Sequence, residues 1–167
     1  MTELVRPATE ADVPAVHRLA VEFHAFHVRG LPGRLRLPDP GADPPSRLDK
    51  ALRAILEDPA GILLVADHGA DVVGFAEASL HTEAATPFVV GGTIGHLQSL
   101  LVTEAARGQG HGRRLLDAAE RWLHEQGATE IQTDAWEFDA GPLGFYEAAG
   151  YSTMRRRLAK PLAKRLR

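Results

Sequence analysis

Val13, Val16, Leu19, Ala20 and Phe23 recur at intervals of three and four. That spacing lines one face of a helix and predicts an element from about Thr9 or Glu10 to Val28. Pro14 falls in its first turn, where a missing N–H is tolerated. Leu48, Leu52, Ile55 and Leu56 form a second stripe and predict a helix from Ser46 to Glu57, stopped by Asp58-Pro59. A third stripe, Leu115, Leu116, Ala119, Trp122 and Leu123, predicts a helix from Gly112 to about Gln126, with Gly127 as its stop. A short fourth helix, Pro142 to Ala149, begins behind Asp139 and ends at Gly150.

Strand-like runs lie between them. Val5–Pro7, Ile62–Ala66, Val72–Leu80, Thr93–Val102, Glu130–Ala135 and Tyr151–Leu158 read as six strands, and the turn around Gly69 makes a hairpin of the second and third. Residues 29–45 are punctuated by Gly30, Pro32, Gly33, Pro38, Pro40, Gly41, Pro44 and Pro45 and form a loop. Residues 81–92 form another. The order is strand, two helices, three strands, helix, strand, helix, strand. Hairpins in the middle and crossovers near the end imply an α/β (α+β) fold, with a mixed sheet and helices on both faces. The 167 residues suffice for one domain with its own core.

Composition narrows the chemistry. The chain has no cysteine, which removes disulfides, thiolate metal sites and cysteine nucleophiles. No apolar run reaches the length that crosses a bilayer, and Met1-Thr2-Glu3-Leu4 lacks the basic start of a secretory signal, so a cytoplasmic location is expected. The net charge of −3 is unevenly spread. Residues 155–167 hold seven basic side chains and no acidic one, leaving 12 basic against 22 acidic in the rest. An acidic body concentrates cationic small molecules. The basic tail, about 159–167, has no aromatic residue to stack a base, so a nucleic-acid partner is not expected.

Arg107-Gly108-Gln109-Gly110-His111-Gly112 joins an apolar strand to an amphipathic helix. Alternate glycines leave the main chain open. The first amides of a helix have no intrahelical acceptor, and the helix dipole favours an anion there. Arg113 and Arg114 add positive charge. A pyrophosphate seat fits these features, as does a plain glycine-rich turn. The spacing is not Gly-x-Gly-x-x-Gly, since Arg occupies position 113, and no Gly-Lys-Ser/Thr follows. Dinucleotide and P-loop sites are thereby set aside.

Leu97-Gln98-Ser99-Leu100-Leu101-Val102, then Arg107-x-x-Gly110-x-Gly112, then Phe145-Tyr146-Glu147-Ala148-Ala149-Gly150-Tyr151 resemble the GNAT superfamily of acyl-CoA-dependent N-acyltransferases. The order of elements matches along essentially the whole chain. The resemblance implies a single acetyltransferase domain over residues 1–167, with a mostly antiparallel sheet splayed at its centre. It implies acetyl-CoA as co-substrate, with its pantetheine arm entering the splay as a pseudo-strand against the main chain of Leu100 and Val102, and with Leu101 between them in the cofactor site. Its pyrophosphate would rest on Arg107, Gly108, Gln109, Gly110, His111, Gly112 and Arg113. Tyr146 then corresponds to the tyrosine that protonates the departing sulfur; without the resemblance it is an aromatic anchor of a short helix.

The resemblance is incomplete at the base. Many members carry Glu or Asp where this chain has Gln98, and an amide takes no proton at neutral pH. His96 lies two residues earlier, on the same strand face, with a suitable ordinary pKa near ~6.5. Glu77 and Asp134 are further candidates, and a water chain with no dedicated base is another route. Asp139 replaces a frequent Asn; it either contacts the cofactor arm or caps the short helix. Phe23, Phe26, His27 and Trp136, with Glu77, are candidate walls of an acceptor pocket. His17, His24 and His27 share a helix without a signalled third ligand, and no metal is expected. The expectation is direct transfer to a small cationic primary amine, with a homodimer possible. The alternative is a CoA-binding regulatory module without catalysis.

Overall fold

The computed structural model describes residues 4–38 and 45–160. Strands β1 (Leu4–Pro7), β2 (Gly61–His68), β3 (Asp71–Glu83), β4 (Gly92–Val102) and β5 (Glu130–Thr133) form one sheet in chain order. β1 to β4 pair antiparallel, and β4 pairs with β5 in parallel. The helices are α1 (Val13–Gly30), α2 (Pro45–Glu57), α3 (His111–Glu125) and α4 (Leu143–Ala148).

Two cores lie on opposite faces of the sheet, as alternating strand side chains require. Val13, Val16 and Leu19 of α1 and Leu52 of α2 pack on Leu63, Val65, Phe75 and Leu101. Leu115, Leu116, Ala119 and Leu123 of α3 pack on Leu64, Ala66, Ala76, Ala78 and Leu97. Helices therefore cover both faces. A single helical turn, Glu10–Asp12, precedes α1, with Thr9 and Asp12 as a capping box. Arg6 grips Asp12 (2.7 Å) and Asp67 (2.7 Å), tying β1, the α1 entry and β2 together. The Arg6 guanidinium holds the Asp12 carboxyl well below the usual carboxylate range.

Most predicted elements stand within a few residues of their expected ends. α1 runs two residues further, to Gly30, and β3 reaches Glu83. The expected last strand is a correction: Tyr151 to Leu158 forms no strand. Met154 is 72% and Leu158 88% exposed, so the segment offers no apolar face to bury, and Arg155, Arg156 and Arg157 favour solvent. Most of the expected loop tip, residues 39–44, and the tail beyond residue 160 lie outside the described residues.

Candidate active site

The site begins with an irregularity in β4. Ala78 pairs with Leu97 but Glu77 pairs with Ser99, so Gln98 is an extra residue in the ladder. Such a bulge bends and twists its strand. On the other side β4 pairs with β5 only from Ile94 to Leu97, and β5 ends at Thr133. The Thr133 hydroxyl donates to the Leu97 carbonyl (2.9 Å) at the point where the strands separate. Among the described residues no strand lies beside β4 on that side from Gln98 to Val102. A cavity of about 340 Å³ occupies the gap, walled among others by Gln98, Leu100, Leu101, Val102, Thr133 and Tyr146.

At one end of the gap stands the glycine loop. Gly108 and Gly110 adopt φ of 75° and 86°, values that side chains disfavour, and Gly110 is the N-cap of α3. The amides of Gly108, Gln109, Gly110, Gly112 and Arg113 donate no hydrogen bond among the described residues. A Cβ on Gly108 would meet nothing within 4 Å. Open main-chain donors at the start of a 15-residue helix fit an anionic group such as a diphosphate. Arg107 and Gly108 also line the cavity. Arg107 Nε donates to the Val102 carbonyl (3.1 Å), so one of the groups expected to meet the pantetheine arm already has a partner. The His111 side chain turns inward, buried against His68 at 5.5 Å between ring centroids, so only its main chain faces the loop.

Tyr146 forms the floor. α4 places it 7% exposed beside Phe145 (5.3 Å) and Tyr151 (5.5 Å). Burial pushes its phenol above the ordinary value, and the neighbouring Thr133 hydroxyl acts in the opposite direction. The phenol is therefore a proton donor through the neutral range.

The roof comes from α1 and the segment after β5. Phe23, Phe26 and His27 line the cavity, and Phe138 packs on Phe26 (5.4 Å) and His27 (6.2 Å). Gly30 makes that approach possible, because a Cβ there would lie 2.4 Å from the Phe138 ring. Arg107 lies over Phe26 at 5.1 Å. A second cavity, walled by Arg29, Gly30, Phe138 and Asp139, shares Phe26 and Ala140 with the first.

Other expected site residues stand outside the main cavity. His96 is half-buried, its Nε2 3.7 Å from Asp134, and Asp134 lines the cavity. His96 faces Ser79 across the ladder, and Gln98 Nε2 donates to the Ser79 hydroxyl, so both reach toward the same point. Glu77 lies on that face, accepting from Ser99 (3.4 Å), and burial pushes its carboxyl above the ordinary value. Trp136 is 41% exposed under Arg34 (5.5 Å). Asp139 makes no capping bond to α4, whose N-cap is Pro142; the cap expectation is corrected, since Asp139 stands three positions before it. His17 pairs with Asp49 and His24 with the Arg36 carbonyl, which spends both on holding α1 to its neighbours. Sequence reasoning missed Thr133, Phe138 and Phe145; only Phe145 carried a hint, as the residue before Tyr146 in the quoted motif.

An interrupted strand edge, an anion seat and a buried phenol thus meet in one cavity. The acetyltransferase (GNAT) family model matches residues 33–151, more than half of the chain. The chain belongs to the GNAT family of acetyltransferases. An aminoglycoside N(6')-acetyltransferase type 1 of Klebsiella aerogenes is 29% identical over 107 residues, 64% of this chain and 69% of that protein. Among solved structures, a mutant of a Bacillus halodurans protein superposes with a TM-score of 0.84 at 24% identity, covering 96% of this chain and 99% of that one. The aminoglycoside N-acetyltransferase AAC(6')-Iy, solved with CoA, gives a TM-score of 0.72 at 18% identity, covering 99% and 96%. As a GNAT member the chain is an N-acetyltransferase with a mixed, mostly antiparallel sheet. Among the described residues no helix is long and apolar enough to cross a membrane.

Proposed function

We propose that this N-acetyltransferase transfers acetyl from acetyl-CoA directly to a small cationic primary amine within a ternary complex, with aminoglycoside-like amines as the leading acceptor class. One observation carries this reading: the unpaired stretch of β4 runs from the Tyr146 floor to the open amides of the glycine loop. When bound, acetyl-CoA supplies an acyl group on a good leaving thiol. The loop from Arg107 to Arg113 holds the diphosphate, and the main chain of Leu100 and the amide of Val102, which point away from β3, hold the amide-bearing arm. Tyr146 gives its proton to the departing sulfur. His96, flanked by Asp134 and Glu77, takes the proton of the attacking amine through the cavity rim. Gln98 orients that amine or a water between them.

The acidic body and the similarity to the Klebsiella enzyme support a cationic acceptor. The same proposal places the protein in the cytoplasm, as a homodimer. The test is thiol release from acetyl-CoA against a panel of amines that includes aminoglycosides, polyamines and amino-acid amines. The expected result is release matched mole for mole by acetylated amine. Binding of CoA without release for any amine overturns the proposal in favour of a regulatory module.

A further inference from the structure

We propose that His27 reads the acceptor: its Nε2 receives a hydrogen bond from an N–H or O–H group beside the reacting amine. The preferred acceptors are then amines with a second donor close by, as in amino alcohols and aminosugars. This rests on the acetyl-transfer reading above and narrows its substrate.

His27 is 8% exposed, yet it lines the cavity. Its Nδ1 lies 2.9 Å from the Phe23 carbonyl, an oxygen that only accepts, so Nδ1 carries the hydrogen. In a neutral imidazole the lone pair is then on Nε2. The surroundings keep the ring neutral. Phe23 (4.5 Å), Phe26 (5.5 Å) and Phe138 (6.2 Å) meet it edge-on, and burial holds its pKa below the ordinary value. The neighbouring His24 works in the same direction, and the hydrogen bond to the Phe23 carbonyl works against it.

No donor among the described residues satisfies Nε2. The atom is not sealed from solvent, so water meets it in the free protein, and an acceptor that displaces that water must supply a donor in its place. Of the other polar walls, Thr133 is engaged on the Leu97 carbonyl, Arg107 on the Val102 carbonyl and Gln98 on Ser79, which leaves Tyr146 to the sulfur and Asp134 beside His96. An apolar group placed against Nε2 would bury it without a partner, which is how a site rejects an analogue lacking one hydroxyl.

The test compares kanamycin B with its dideoxy counterpart, which lacks the ring hydroxyls beside the aminomethyl group. In the unaltered protein kcat/KM should favour kanamycin B by about 10- to 100-fold. His27→Phe keeps the aromatic packing and should bring the two within threefold, while the Kd for CoA stays unchanged. His27→Gln restores an acceptor near Nε2 and should restore part of the preference. A preference that survives His27→Phe overturns the proposal. So does weaker CoA binding in that variant, which would assign the donor to the pantetheine amides. Nitrogen-15 spectra of the labelled imidazole should show the Nδ1–H tautomer, and the Nε2–H tautomer overturns the proposal whether or not either compound is acetylated. Turnover of neither compound, with CoA bound, sinks the acceptor reading alone.

Discussion

The two halves of β4 make different use of one strand. Ile94 to Leu97 is flanked on both sides, by β3 and by β5. Gln98 to Val102 keeps β3 but loses β5. Both halves are apolar in sequence, and both carry buried side chains, Leu97 in the first and Leu101 and Val102 in the second. What separates them is backbone hydrogen bonding. A strand edge inside a protein is costly to leave open, because each buried amide or carbonyl without a partner loses its solvation. The closed half builds the fold, and the open half is where, under the proposed function, an amide-bearing ligand would complete the sheet.

The most severe way to break this comparison is Gly110→Val. The left-handed backbone at Gly110 disfavours a β-branched residue, and the new side chain would meet Arg114. Calorimetry should detect no CoA binding, while circular dichroism still reports a folded sheet. Retained affinity would mean that the open half of β4 is not completed by a ligand anchored at this loop. Next in size, Tyr146→Phe should lower kcat by about 10²–10⁴ with CoA affinity intact. An unchanged rate removes the phenol from the chemistry.

The pH profile sharpens the same point. Burial raises the Tyr146 pKa, so the protonated form is the one favoured in the folded protein. Activity that depends on this proton should persist past the pH at which an exposed tyrosine ionises, and then fall as pH rises further. The stabilisation from keeping the phenol protonated is likewise complete below the ordinary tyrosine value and lost above it. An alkaline limb at or below that ordinary value would contradict the assignment.

Two smaller changes test how the gap is framed. Gly30→Ala places a methyl against the Phe138 ring and should cost about 1–3 kcal/mol by overpacking, read as a lower Tm. No change would show that Phe138 does not roof the cavity in solution. Thr133→Val removes the hydroxyl that ties β5 to the Leu97 carbonyl and should cost about 0.5–1.5 kcal/mol. The loss is expected as a lowered denaturation midpoint; an unshifted midpoint would place the divergence of the strands elsewhere.

Side-chain periodicity made the helices and inner strands readable. The stripes through Leu19, Leu52 and Leu115 end on buried faces, and Gly127 terminates its helix as expected. Tyr146 stood out only through the family motif around it, whereas the glycine loop was legible from its alternate glycines. The bulge at Gln98 was not, since pairing register is a property of two strands and leaves no mark in one. His27 was expected in the acceptor wall, but nothing in the sequence showed that Phe138, more than a hundred positions away, folds against it. Tyr151 to Leu158 misled because Tyr151 and Leu158 fit a strand, while three successive arginines give it no face to bury.

Gln98 is one residue more than the β3 ladder needs. Removing it would join Leu97 to Ser99, whose partners Ala78 and Glu77 are already adjacent. The shortened chain should form a straighter and more regular sheet, with β4 drawn along its neighbour beyond Leu97. Better secondary structure would then mean a narrower cleft, so this one surplus amino acid trades sheet regularity for room to work.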